Sequence, residues 1–165
     1  MPHHIVSATF NDRHSAESVL TRLEKSGITK NQISLLVTDI GRGRHFGIDE
    51  HSKMDKGLAA GATAGAIVGA VIGALMAASV IVIPGINLVV AGSLASGLAG
   101  FGAGAAAGGL VGALVGAGIP EHEARIYEKE LKSGNVLLAV DTLSDEQKRH
   151  VKEILQKSDA MHIAA

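Results

Sequence analysis

Val80-Ile81-Val82-Ile83-Pro84-Gly85-Ile86-Asn87-Leu88-Val89-Val90-Ala91-Gly92 is the stretch on which the fold turns. Pro84-Gly85 is a strong turn signal. Aliphatic runs lie on both sides of it, and beyond them the chain is rich in glycine and alanine. This pattern predicts a helical hairpin, with helix one over about 57–83, helix two over about 87–118, and the Pro-Gly turn at the tip.

The wider segment supports that expectation. From Gly57 to Pro120, 64 residues contain no Asp, Glu, Lys, Arg or His, and 16 of the chain's 21 glycines fall there. Gly57, Gly61, Gly65, Gly69 and Gly73 recur every four residues. A second series runs through Gly92, Ser96, Gly100, Gly104, Gly108, Gly112 and Gly116. On a helix, residues at this spacing form a slanting groove that lets another backbone approach closely. At 1.5 Å per residue the helices would be about 40 Å and 48 Å long, against a hydrocarbon layer of about 30 Å. Residues 64–83 hold ten of Ile, Leu, Val and Met, enough for insertion as a span. Helix two is weaker, because Ala99 to Gly109 has only Phe101 as a large side chain; either it inserts only when paired with helix one, or it breaks near Gly108-Gly109. A hairpin of two spans would leave both polar flanks on one side. The competing reading is a soluble homo-oligomer whose glycine-zipper helices form the assembly core.

The flanks are polar and carry all the charge. In the first, His4 to Phe10 alternates with Val6, Ala8 and Phe10 on one face. Asn11 or Asp12 can cap a helix buried through Ala16, Val19, Leu20 and Leu23 and ended by Gly27. Ile33, Leu35 and Val37 alternate again, and residues 40–56 form a polar loop. In the second flank, Pro120 starts a helix that buries Ala124, Tyr127 and Leu131. Asn135 to Asp141 is apolar on both faces, as a central strand would be. Ser144 and Gln147 have capping-box spacing ahead of a helix buried through Val151, Ile154 and Leu155. Met161 to Ala165 closes as a short strand. The expected fold class is therefore α+β: a ferredoxin-like split βαβ domain with the Gly/Ala-rich apolar helical hairpin inserted. Residues 1–56 are the first βαβ half and loop, 57–120 the glycine-zipper hairpin, and 121–165 a helix and the second half.

The chain resembles the bacterial general stress proteins with a heat-induced-stress-protein (YflT-like) domain. The resemblance is carried by ATFNDRHSAESVLTRLEKSGI, QISLLVTD, IPGINLVVAG and, most specifically, GIPEHEARIYEKELKSGNVLLAV. It implies a stress-associated bacterial protein linked to the membrane, with no catalytic residues to carry over.

Composition excludes several chemistries. Fifteen basic residues against 16 acidic ones give a net charge of −1, which argues against nucleic acid as a partner. The absence of cysteine removes disulfides, thiolate metal sites and Cys nucleophiles. Eight histidines include no H-E-x-x-H, so no catalytic metal and no cofactor are expected. His45, His51 and His122 are weak metal candidates that would meet at the mouth of the hairpin; solvated surface histidines are the alternative. The Gly-x-Gly spacings lack the following acidic residue of a dinucleotide site, and there is no P-loop. Arg42 and Arg44, in the polar loop, are candidates for contact with lipid headgroups. The helix-packing residues are Gly57, Gly61, Gly65, Gly69, Gly73, Gly100, Gly104, Gly108, Gly112 and Gly116. The expected function is that of a non-enzymatic, self-assembling stress protein with a structural or scaffolding role. It would partner itself and membrane lipid, in the bacterial inner membrane with its polar parts facing the cytoplasm. The alternative is a cytoplasmic homo-oligomeric regulatory or ligand-binding module.

Overall fold

The alternation in His4–Phe10 produces strand β1, and Asp12 then caps helix α1, Arg13–Lys25. The Asp12 carboxylate accepts the Ser15 N–H at 2.8 Å, and this bond above all holds its carboxyl below the usual carboxylate range. A computed structural model describes residues 4–38, 80–83, 88–92 and 102–165. After α1 come β2 (Ile33–Thr38), β3 (Val80–Ile83) and β4 (Leu88–Gly92). Then follow α2 (Gly102–Gly116), α3 (Glu121–Lys132), β5 (Val136–Thr142), α4 (Asp145–Gln156) and β6 (His162–Ala164). Helices α1, α2 and α3 end alike: the N–H groups of Ile28, Ile119 and Asn135 reach back to the carbonyls of Leu23, Leu114 and Glu130.

The fold is mixed α and β. Six strands form one antiparallel sheet in the order β3-β4-β2-β5-β1-β6. Strand β5 lies between β1 and β2, and β1 between β5 and β6, so the halves before and after residue 100 interleave. This explains why β5 is apolar on both faces: Val136, Leu138 and Val140 join one cluster, Leu137 and Ala139 the other.

Each face has its own helices. Val6, Ala8, Phe10, Ile33, Leu35 and Val37 pack with α1 and with Val151 and Leu155 of α4. The opposite face joins Leu36 and Val90 to Leu110, Ala113 and Leu114 of α2 and to Ala124, Tyr127 and Leu131 of α3. Along β1 the first face buries Val6, Ala8 and Phe10, whereas the second carries buried Ser7 and Thr9. Its hydroxyls help fix α3: Ser7 Oγ lies 2.8 Å from Tyr127 Oη, and Thr38 Oγ1 donates to the Leu131 carbonyl at 2.8 Å.

The stretch 80–92 departs from expectation. Residues 80–83, assigned above to the end of helix one, form β3; Leu88–Gly92, assigned to the start of helix two, form β4. Pro84-Gly85 thus lies between paired strands, in register Val80↔Ala91 to Ile83↔Leu88, and β4 pairs in turn with β2. The physical reason is the run of β-branched residues, which favours a pleated surface over a helix. Gly92 belongs to no helical groove. Its φ is 101°, and a Cβ there would lie 2.0 Å from the Ile33 carbonyl oxygen, so β4 meets β2 only because the residue is glycine.

Among the described residues, helix two is represented by α2. It spans 15 residues, about 22 Å at 1.5 Å per residue, and is broken at Gly109, with φ 59° and ψ −144°. The expected weakness near Gly108-Gly109 is that break. Among the described residues no helix is long and apolar enough to cross a membrane, so the transmembrane helix hairpin is overturned. The inner-membrane location rested on that hairpin and loses this support. The rest of helix one, with Gly57, Gly61, Gly65, Gly69 and Gly73, lies outside the described residues, as does Gly100.

Candidate functional site

The face formed by α2 and α3 gathers the groups that could meet a ligand or partner, in two adjoining places. The first is built on α3. Pro120 starts this helix, its first turn carries Glu121 and Glu123, and Ala124, Tyr127 and Leu131 are its buried residues. Glu123 is one position before Ala124, so it sits at the edge of the buried face with 16% of its side chain exposed. Its two carboxylate oxygens face two imidazoles. His162 Nε2 of β6 lies 2.9 Å from Oε2, and His122 Nε2 lies 3.2 Å from Oε1.

Tyr127 is one turn further along α3. Its ring stands edge-on to His162, with centroids 5.6 Å apart and planes at 75°. Burial pushes its phenol up to about 12; the Glu123 charge adds to the rise, and the bond to Ser7 opposes it. Beside this cluster is a cavity of about 140 Å³, with Ile5, Ile119 and Pro120 on its apolar walls and Ser7, His122 and Glu123 as its polar lining.

These contacts define what the cluster can do. The Ser7 hydroxyl is bonded to a phenol and the His162 imidazole to a carboxylate, so they form separate pairs. A serine nucleophile would need the imidazole as its own partner. Among the described residues no group of three His, Asp or Glu side chains is placed to hold a metal ion. His122 is 74% exposed, and its neighbour is Glu123. His45 and His51, expected beside it, lie outside the described residues, as do Arg42 and Arg44.

The second place is an open groove of about 480 Å³ between α2 and α3. Gly108, Val111, Gly112 and Val115 form its α2 side; Glu121, Arg125 and Glu128 form its α3 rim. Leu110, Ala113 and Leu114 point α2 into the core, while Val115 is 42% exposed. A Cβ on Gly108 would meet nothing within 4 Å, so no contact among the described residues requires glycine there. Gly112 and Gly116 are half-buried on the same helix, and Gly104 lies in its first turn. On the rim, Arg125 Nη2 donates to Glu121 Oε1 at 2.7 Å, and Lys132 Nζ to Glu128 Oε1 at 2.9 Å.

Sequence reasoning missed Glu123, His162 and Ser7 as a set. Glu123 and His162 are 39 positions apart and meet only because β6 joins the edge of β1. One signal was available: Tyr127 is the chain's single tyrosine and was expected to be buried, and a buried phenol needs a partner. Comparison with protein-family models, with curated proteins and with solved structures returns no match.

Proposed function

We propose that this chain is a non-enzymatic, self-associating module of the ferredoxin-like split βαβ kind, with β3, β4 and α2 inserted between its halves. On this reading it is a bacterial stress-response protein, in keeping with the resemblance of its GIPEHEARIYEKELKSGNVLLAV stretch. Support for the architecture is the strand order β2-β5-β1-β6, in which the two βαβ halves interleave.

One observation carries self-association. Helix α2 has no charged or polar side chain anywhere in GAGAAAGGLVGALVG, yet Val115 and Gly108 are exposed. Helices α1, α3 and α4 all carry charged residues. An outer helix without a polar face is partnered in the working assembly. The test is subunit mass by native mass spectrometry and light scattering without detergent. A multiple of the 16.8 kDa chain mass is expected; a monomer throughout the micromolar range would overturn the reading.

The cavity beside Glu123 supports a second role, as a site for a small ligand that reports to the assembly. Its size suits only a few heavy atoms.

A further inference from the structure

We infer that the occupant of the α2–α3 groove is the same groove of a second copy, packed across a two-fold axis. This rests on the proposed self-association and adds where it happens and why the surface fits itself. Beyond the break at Gly109, Val111 and Val115 stand one turn apart as a ridge, and Gly112 beside them leaves a notch, which Gly108 extends from the other side of the break. A two-fold axis lays the ridge of each copy into the notch of the other, which brings the backbones close.

The rim is also self-complementary. Glu121, Arg125 and Glu128 give acid, base, acid at successive turns of α3. Reversing that order across an axis between two of these turns sets Arg125 beside an acidic residue of the second copy. The chain's own apolar segment is a poorer occupant, because residues 57–101 carry no charge to answer this rim. A bilayer is a poorer occupant as well, because Glu121, Arg125 and Glu128 border the valines and do not complement hydrocarbon.

The experiment compares the full-length protein with three variants by sedimentation equilibrium, each checked for an unchanged circular dichroism spectrum. Val115→Glu places a carboxylate in the dry centre of the contact and should raise the dimer dissociation constant about a hundredfold, the scale of an unpaired buried charge. Arg125→Glu replaces the cation that lines the groove with a third carboxylate and should weaken the dimer, more at low salt than at high salt. Leu143→Glu, at a site 52% exposed outside the groove, should leave the dimer as it was. Because the chain has no cysteine, Val111→Cys gives a second readout: mild oxidation should yield one disulfide-linked dimer. A wild-type dimer that survives Val115→Glu and Arg125→Glu would overturn this interface while leaving self-association standing. A wild-type monomer would overturn both.

Discussion

Tyr127 links the helix α3 to the sheet through one hydroxyl pair and one aromatic contact, so its chemistry can be read from outside. Its folded value of about 12 lies above the ordinary value of about 10. The folded state therefore favours the neutral phenol. The stability it contributes is complete below about pH 10 and is lost as pH rises towards 12. As the chain has one tyrosine and no tryptophan, tyrosinate absorbance follows this group alone. The absorbance change should be delayed to about the folded value and coincide with alkaline unfolding; titration at the ordinary value in a folded protein would contradict the burial. Tyr127→Phe removes the alkaline step but leaves the Ser7 hydroxyl buried without its partner, at a cost of about 1–3 kcal/mol near neutrality in denaturant unfolding. Gly92 is the other residue with a sharp prediction. Gly92→Ala sets a methyl against the Ile33 carbonyl and the Ser34 Cα, in a backbone conformation that L-residues avoid. Strand β4 should separate from β2, with fast amide exchange at Val89 and Val90 while β1 and β5 stay protected. Unchanged exchange at β4 would refute the close approach.

At the scale of elements, the polar flanks were legible because their signals were redundant. Helix α1 has its cap at Asp12, its four buried apolar positions and its stop at Gly27, each pointing to the same bounds. Helix α4 is similar, with one difference in detail. Gln147 donates its N–H to Ser144 Oγ, but its side-chain oxygen accepts from Leu143, one residue before the capping position. The hairpin of β3 and β4 was not legible from periodicity. Its runs are apolar at nearly every position, and such a run fits a buried strand as well as a helix. Length and branching hold the answer: Val80, Ile81, Val82 and Ile83 are all β-branched, and only four residues separate Ile83 from Leu88. The four-residue glycine spacing pulled the reading towards helices, yet it passes through a strand at Gly92 and a helix break at Gly109. That break belongs to the fold. Gly109→Ala meets no neighbour within 4 Å, so its effect is purely on the backbone. It should lower the melting temperature by straining φ 59°, ψ −144° or by straightening α2 away from the sheet. An unchanged or raised melting temperature would show that the break carries no structural demand.

For the whole molecule, the decisive question is how a chain with polar flanks accommodates 64 consecutive uncharged residues between them. Part of that segment is built into the sheet as β3 and β4, and part covers the sheet's second face as α2. This second face is where the buried tyrosine, the Glu123 cluster and the open groove come together. The cluster escaped sequence reading for a reason of scale: Ser7, Glu123 and His162 come from three elements that only the completed sheet assembles. Incorporation of the uncharged segment is tested most directly at Val90, which has β2 on one side and β3 on the other. Its backbone protons should show nuclear Overhauser contacts both to Leu36 and to Ile81, the partners fixed by register, with extended-strand chemical shifts from Leu88 to Gly92. Helical contacts between residues three apart running unbroken through 80–92, with neither cross-strand contact from Val90, would contradict it.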